Sequence, residues 1–200
     1  MRLYDYLPSG NGYKVRWTLA RLGIACEYIA LDIHKGETHT PEFLALNPAG
    51  QVPLLVLGNE RPLAESNAII GFLAEGSPLV PADPFFRAKM LQWMFWEQYR
   101  HEPAIAVARF IRAYAPERAE ELPALHAKGL AALAVMDGHL LDRDWFVGGN
   151  CTLADIALYA YTHVAEEGGF DLAAFPAVTA WLARFAAQSG HVVMEWVPQA

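Results

Sequence analysis

The sequence predicts an α/β domain followed by an all-α domain. In the first third of the 200 residues, short β-prone runs alternate with segments of helical period. A stretch rich in Pro and Gly follows, GSPLVPADP at residues 76–84. Beyond it Ala, Leu and aromatic residues dominate and no convincing strand is found. We therefore expect residues 1–75 and 85–200 to form the two domains, with 76–84 as the linker.

The first elements are predicted to form a β-α-β unit. Arg2–Tyr6 is a short strand pattern, and Leu7–Gly12 has the composition of a turn. From Tyr13 the apolar residues recur at helical spacing, and Gly23 lies where a C-cap glycine belongs. Glu27–Ile33 follows as the second strand. This order implies a parallel pair of strands with a right-handed crossover.

The rest of the first domain is predicted to contain a helix, a β-hairpin and a second helix. Thr40 and Pro41 form an N-cap and a first helical residue. Leu54–Leu57 and Arg61–Ala64 are the hairpin strands, joined by a Gly-Asn turn. Ser66 is positioned to cap the helix that runs on to residue 74.

The second domain is predicted to be helical throughout. The expected helices are Phe85–Arg100, resuming after Pro103 as far as Ala113, then Leu122–Leu141, Leu153–Val164 and Pro176–Ala187. The third of them opens with a capping box, in which Thr152 caps the helix and Asp155 bonds back to the Thr152 N–H.

Composition disfavours several classes of function. The net charge of −7, without a block of Lys or Arg, disfavours binding to nucleic acid or an anionic membrane. No apolar run approaches the roughly 20 residues of a spanning helix, and the opening residues do not resemble a signal peptide, which favours a cytoplasmic location. The His and Cys residues have no metal-ligand spacing, so we predict no metal site. Cys26 and Cys151 are expected to be buried thiols.

Three short motifs could form parts of a ligand-binding site, and each also has an ordinary structural interpretation. Ser9-Gly10-Asn11-Gly12 places polar donors at the positive end of a helix, or it is simply a capped turn. Val52-Pro53 precedes a strand. A cis bond there would expose backbone groups to a peptide-like ligand, although base rates favour trans. Glu65-Ser66 opens a helix, which is a carboxylate site or a plain N-cap.

In this order the segments resemble the cytosolic glutathione transferase family over nearly the whole chain. The segments that carry the resemblance are LYDYLPSGNGYKVRWTLARLG, GETHTPEFLALNPAGQVPLL, LAESNAI and GGNCTLADIAL. The family's first domain is thioredoxin-like, and its second is a helical bundle. The first segment is most similar to the serine-type bacterial, zeta-like and theta-like branches.

The resemblance implies catalytic residues in the first loop. Ser9 matches the hydroxyl that stabilises the glutathione thiolate, and Asn11 and Tyr6 are the other candidates. Relatives with similar loops often carry Cys near the start of the first helix, where this chain has Gly12. That departure disfavours a mechanism through a mixed disulfide with the protein.

The resemblance also implies a set of glutathione-binding residues, namely Lys35, Gln51, Val52, Glu65 and Ser66. The backbone of Val52 matches the position that pairs with the cysteinyl part, and Glu65 and Ser66 match those that hold the γ-glutamyl group. Gln51 and Lys35 match positions that contact the glycyl end. Glutathione is thus expected as the co-substrate.

The expected activity is conjugation of glutathione to a small electrophile, with Trp96, Tyr99 and His101 as lining residues of the electrophile site. One alternative is glutathione-dependent isomerisation, or peroxide or disulfide reduction, on the same fold. Another is a non-catalytic glutathione-binding or regulatory protein. The resemblance further implies a homodimer.

Overall fold

The computed structural model describes residues 1–199, which divide into two compact units. One unit is residues 1–77 together with the segment from Ser189, and the other is Pro78–Gln188. We call residues 189–199 the return segment. The sequence assigned it to the helical domain. It belongs instead with the first unit, because its backbone carbonyls accept hydrogen bonds from side chains of the first helix.

The first unit has the predicted thioredoxin-like architecture. Its elements are β1 (Arg2–Asp5), α1 (Gly10–Leu22), β2 (Glu27–Ala30), α2 (Pro41–Leu46), β3 (Leu54–Val56), β4 (Pro62–Leu63) and α3 (Ser66–Ala74). The strand order is β2-β1-β3-β4. The predicted parallel pair of β1 and β2 and the antiparallel hairpin of β3 and β4 are both confirmed.

The two faces of the sheet bury different residues. Tyr4 is opposite Leu54 in the register of β1 and β3, and the face they share packs against Phe43 of α2. Leu3 is opposite Leu55, and both side chains are fully buried on the other face. Asp5 shares that second face by alternation. A buried carboxylate there requires a partner, and α1 supplies it.

Several predicted elements are longer than the observed ones. The strand predicted at Glu27–Ile33 ends at Ala30, because Asp32 caps a 3₁₀ turn by accepting a hydrogen bond from the His34 N–H at 2.9 Å. The second hairpin strand is reduced to Pro62–Leu63. The predicted Thr40 cap is confirmed, since its hydroxyl oxygen accepts from the Phe43 N–H at 3.2 Å.

The second unit is helical, and residues 78–188 contain no strand. Its main helices are α4 (Pro84–Trp96), α5 (Glu102–Tyr114), α6 (Leu122–Leu140), α7 (Leu153–Thr162) and α8 (Pro176–Ala186). A single π turn, Glu97–His101, joins α4 to α5, where the sequence predicted an interruption. Pro103 follows the π turn directly, where the Glu102 N–H bonds the Glu97 carbonyl five residues back and the regular α-helical bonding is already interrupted.

Asp155 organises the core of the second unit. Its carboxylate accepts from the Thr152 N–H at 2.9 Å, the Thr152 hydroxyl at 3.2 Å, the Phe146 N–H at 3.1 Å and the Trp181 indole N–H at 3.1 Å. The capping box is therefore confirmed. Burial raises the pKa of Asp155 to about 6, opposed by these hydrogen bonds. With four donors around it the carboxylate is held ionised at neutral pH.

The return segment is bound to one face of α1. The Tyr13 hydroxyl donates to the Val192 carbonyl at 2.6 Å, and the Trp17 indole N–H donates to Nδ1 of His191 at 3.2 Å. An indole N–H only donates, so Nδ1 of His191 must be unprotonated for this bond to exist. Burial correspondingly lowers the pKa of His191.

Two further predictions concern thiols and membranes. Cys26 is buried, and burial raises the pKa of its thiol. Cys151 was also expected to be buried but is half-buried. Within residues 1–199, none of the helices combines the length and apolar content that crossing a membrane requires.

We predict that the two members of the capping box differ in their contribution to stability. Thr152→Ala removes one cap and should cost about 1 kcal/mol. Asp155→Asn should cost more, about 2–3 kcal/mol, because its amide NH₂ would face buried donors. Denaturant titrations of both variants measure this, and equal midpoint shifts would contradict it.

We predict that His191 makes stability fall on acidification. Its folded pKa is lowered, so the unfolded chain binds more protons, and stability is lost as pH falls below about 6.5 toward the folded pKa. His191→Asn keeps an acceptor for Trp17 but does not titrate. Thermal melts between about pH 7.5 and 5.5 should therefore decline less in this variant, and parallel declines would refute the assignment.

Candidate active site

The first loop ends in a capped helix. The sequence predicted that helix from Tyr13, but α1 begins three residues earlier, at Gly10, with Ser9 as its N-cap. The Ser9 Oγ accepts from the Gly12 N–H at 3.2 Å. Because that bond uses only a lone pair, the hydroxyl hydrogen remains available to a ligand. The prediction was late because the two glycines of the first turn hide its helical period.

Asp5 and Gly12 are in close contact beneath this loop. A Cβ built on Gly12 would lie 1.8 Å from Oδ1 of Asp5, far inside contact distance. Position 12 therefore accepts no side chain while Asp5 keeps its place. This is the physical reason for the absence of a cysteine at this point of the helix.

Arg16 links the loop to the rest of the unit. Its Nε–H donates to Oδ2 of Asp5 at 2.9 Å, and both side chains are fully buried. One Nη2 donor bonds the Leu7 carbonyl at 2.7 Å, and the Ser9 carbonyl lies 3.5 Å from the same nitrogen. Burial raises the pKa of Asp5 to about 6, and the adjacent Arg16 guanidinium and the Tyr6 N–H oppose the shift. The Asp5–Arg16 ion pair thus holds the first loop in place through the Arg16 bonds to its carbonyls.

Asn11 and Ser66 are brought together, although 55 residues separate them in sequence. The Ser66 hydroxyl donates to Oδ1 of Asn11 at 3.1 Å. This contact joins the first turn of α1 to the first residue of α3. The N-terminal ends of two helices, with their partial positive charges, therefore meet at one place in the first unit.

Glu65, not Ser66, is the N-cap residue of α3. Its φ of 68° lies in the left-handed region, which is rare for a residue with a side chain. Its exposed side chain makes no capping hydrogen bond. Strained backbone of this kind is concentrated at binding and catalytic sites.

The Val52-Pro53 peptide bond is cis, so the trans interpretation favoured by base rates was wrong. Within residues 1–199, neither the N–H nor the carbonyl of Val52 has a hydrogen-bond partner. The preceding carbonyl, that of Gln51, accepts from the Asn47 side chain at 2.8 Å. The loop thus presents a fixed backbone segment with unused donor and acceptor groups.

The remaining sequence-predicted residues are engaged elsewhere. The Lys35 ammonium is 73% exposed and pairs with Asp32 at 3.1 Å. Its pKa is raised by that hydrogen bond. The Tyr6 hydroxyl lies 3.2 Å from Nε2 of His34, so Tyr6 points toward a surface histidine and not into the core. The Gln51 side chain is exposed.

The structure also contains a cavity in the second unit, of about 400 Å³. Two of the predicted electrophile-lining residues border it, Trp96 and Tyr99. The third does not, because His101 is fully buried and its Nε2 bonds the Thr162 hydroxyl at 2.8 Å. Arg100 and Lys128 give the cavity wall positive charge, and neither forms an ion pair with any residue of 1–199.

Residues 1–199 contain no group of three His, Cys, Asp or Glu side chains that could hold a metal ion. The sequence analysis missed the structural support of the first loop, namely Asp5, Arg16 and the return segment. The sequence did contain one signal of this ion pair. Asp5 is an acid in an apolar strand, and Arg16, 11 residues later, is a base in a helix whose residues are mostly buried. The acceptors of Arg16 are otherwise backbone carbonyls, which leave no trace in a sequence.

Comparison with known proteins covers both units. Two family models match, "Glutathione S-transferase, N-terminal domain" over residues 1–75 and "Glutathione S-transferase, C-terminal domain" over residues 93–189. A solved glutathione S-transferase from Pseudomonas fluorescens is 49% identical, with a TM-score of 0.95, over 96% of this chain and 98% of its own.

Two curated relatives have different named activities. The maleylacetoacetate isomerase of Rhizobium meliloti is 33% identical over 187 residues, which are 89% of this chain and 87% of that protein. The disulfide-bond oxidoreductase YfcG of Escherichia coli is 28% identical over 184 residues, 88% of this chain and 86% of that protein. The relatives therefore agree on the scaffold but not on the reaction.

Proposed function

Because the chain belongs to the glutathione S-transferase family, we propose that it binds glutathione on its first unit and activates the thiol for attack on a small electrophile. The observation that carries this proposal is the hydroxyl of Ser9 at the N-terminus of α1. It caps the helix through a lone pair and keeps its proton for a ligand.

Ionisation of the thiol is the step that the loop would promote. A free thiol titrates near pH 8.5, so only a few per cent is thiolate at neutral pH. Lowering that pKa by about 2 units requires about 2.7 kcal/mol of preference for the anion. A charge-assisted hydrogen bond from Ser9, together with the positive end of α1, is of sufficient size.

The γ-glutamyl end would bind where α1 and α3 meet. The first N–H groups of α3 have no partner within the helix, which suits them to a carboxylate. The Ser66 hydroxyl donates to Asn11, so it would have to rotate to donate to the carboxylate. Asn11 would then turn its amide toward the ligand. Glu65 would accept from the α-ammonium group.

The cysteinyl part would pair with the backbone of Val52. Its unused N–H and carbonyl match the donor and acceptor of a peptide unit, as in strand addition. Gln51 and Lys35 remain candidates for the glycyl end, and Lys35 would have to exchange Asp32 for the glycyl carboxylate.

The electrophile would be selected by the side chains that line the cavity of the second unit. The cavity bordered by Trp96, Tyr99, Arg100 and Lys128 combines aromatic surface with positive charge. That combination favours an aromatic electrophile that carries a carboxylate, nitro or similar electron-rich group. Rates with neutral and anionic aryl halides, compared in one assay, measure the preference.

Two other glutathione-dependent reactions are alternatives, because relatives carry isomerase and disulfide-reductase names. Disulfide or peroxide reduction would have to proceed through glutathione alone, since Gly12 leaves the loop without a thiol. A non-catalytic glutathione-binding role is the third alternative. Product analysis with an aryl halide, a cis-alkene diacid and a mixed disulfide separates all three.

We further propose a homodimer located in the cytoplasm, as the family implies. In support, α4 exposes three large apolar side chains, Phe85, Leu91 and Phe95. The partner would be a second copy of the chain, contacting this helix face. Light scattering at micromolar concentration measures the mass directly, and a value near that of one chain would reject the dimer.

We predict that Ser9→Ala raises the pKa of bound glutathione by about one unit or more. Turnover near pH 6.5 should fall about tenfold, while affinity changes little, because the lost bond favours the anion selectively. The deficit should shrink as pH approaches the thiol's own pKa. Ultraviolet absorbance of the thiolate against pH, with parallel pH–rate profiles, provides the measurement.

Ser9→Thr is the matched control, because it keeps both the hydroxyl and the helix cap. It should retain most of the thiolate. Tyr6→Phe should have little effect and Asn11→Ala an intermediate one. If Ser9→Ala titrates like the wild type while Tyr6→Phe or Asn11→Ala loses the thiolate, Ser9 is not the stabilising group.

We predict that Ser66→Ala weakens glutathione binding about tenfold or more, the value of one hydrogen bond to a charged group. Glu65→Gln should act in the same direction by weakening the contact with the ammonium group. Calorimetry gives the affinities, and Glu75→Gln, at an exposed residue at the other end of α3, is the control. Unchanged affinity in both site variants would mean that the γ-glutamyl group binds elsewhere.

A further inference from the structure

Arg16 uses every hydrogen-bond donor that it has. A guanidinium carries five N–H groups, and each has an acceptor within residues 1–199. One acceptor is the Asp5 carboxylate at 2.9 Å. Two are carbonyls of the first loop, Leu7 and Ser9. The last two are carbonyls of the return segment, Met194 and Trp196, the latter at 3.0 Å.

The two terminal nitrogens of Arg16 bond two different segments of the chain. Nη2 bonds only the loop that carries Ser9, and Nη1 bonds only the return segment. Since the guanidinium is planar and rigid, fixing one edge fixes the other. The side chain is fully buried, so water does not replace a missing acceptor at low cost.

We propose that the return segment is a positioning element of the active site, acting through Arg16 to hold the Ser9 loop in the geometry that ionises glutathione. This inference rests on the proposed function, since it assigns a role within the same site. Arg16 is a positioning residue and not a catalytic one, because its donors reach the loop carbonyls and not the ligand.

The backbone bonds of Ser9 itself are local. The Ser9 N–H donates to the Tyr6 carbonyl at 2.8 Å, and the Ser9 carbonyl starts α1 by accepting from the Tyr13 N–H at 2.9 Å. Both bonds are local and would survive a rigid shift of the loop. The Arg16 side chain, by contrast, lies two turns further along α1. Its bonds to the Leu7 and Ser9 carbonyls therefore fix the position of the loop relative to the body of the helix.

Loss of the return segment would disturb this arrangement in a defined way. The two Nη1 donors would lose their acceptors, and the guanidinium would turn toward water to recover them. That rotation pulls Nη2 away from the Leu7 and Ser9 carbonyls. The Ser9 hydroxyl would then move relative to the thiol, and small displacements of a charge-stabilising donor have large effects on catalysis.

The decisive experiment loosens the return segment without altering Arg16 or the loop. The double variant Tyr13→Phe, His191→Phe removes two hydrogen bonds that hold the segment to α1 and keeps aromatic rings at both positions. Hydrogen exchange of residues 189–199, read by mass spectrometry, reports the loosening. Thiolate absorbance of bound glutathione against pH reports the active site.

We expect faster exchange in the return segment, a thiol pKa raised by about half a unit to one unit, and a fall in kcat at pH 6.5 that exceeds the change in KM for glutathione. Arg16→Lys keeps the charge but loses the planar guanidinium that bonds both segments, so it should give a larger rise in the thiol pKa and a larger fall in kcat. Arg21→Met, an exposed cation in the last turn of α1, removes equal charge and should match the wild type.

Several outcomes would overturn the proposal. Faster exchange in the double variant with a wild-type thiolate titration is one of them. If exchange does not change, a wild-type titration in folded Arg16→Lys overturns it equally. A shift in Arg21→Met as large as in Arg16→Lys would mean that charge acts, and not position. A wild-type protein with no thiolate signal would refute the proposed function itself, which distinguishes that failure from the others.

Discussion

The buried ion pair of Asp5 and Arg16 constrains much of the first unit. Taking two charges out of water costs several kcal/mol per ion and is tolerable only when every donor and acceptor finds a partner. Here the guanidinium satisfies that condition with one carboxylate and four carbonyls. The carboxylate in turn leaves no room for a side chain at Gly12. The position of the loop, the glycine at position 12 in the first turn of α1 and the course of the return segment therefore follow from a single electrostatic requirement.

The second unit uses the same principle with a different set of donors. Asp155 is surrounded by two backbone N–H groups, a hydroxyl and an indole N–H, which together replace the hydration it loses. Its partners come from α7, from α8 and from the segment before α7, so one carboxylate fixes three parts of a helical core. In each unit a buried aspartate supplies directional bonds where apolar packing alone would allow several arrangements.

The elements that the sequence could predict are those set by local rules. The Thr40 and Thr152 caps, the C-cap at Gly23 and the hairpin all depend on neighbours a few residues away, and all are present. The start of α1 was missed because the two glycines of its first turn hide the helical period, and the course of the return segment was missed because tertiary partners decide it. Arg16 illustrates the limit well, since four of its five acceptors are main-chain oxygens that any residue type could supply. Of the candidate site, sequence resemblance nominated Ser9, Asn11 and Ser66, but only the coordinates reveal that the last two touch.

The discontinuity of the first unit has a consequence for how the molecule is made. The ribosome releases residues 1–77 long before it reaches Ser189, and the whole second unit is synthesised in between. Until the return segment emerges, Nη1 of Arg16 has no carbonyl to bind, so the nascent first unit carries a cation that favours a hydrated, open arrangement. The hydrogen bonds that Arg16 makes to both the Ser9 loop and the return segment are consequently completed last, after the helical unit has had time to fold as a unit of its own. Vectorial synthesis thus delays the final arrangement of the Ser9 loop until nearly the whole of this sequence is present.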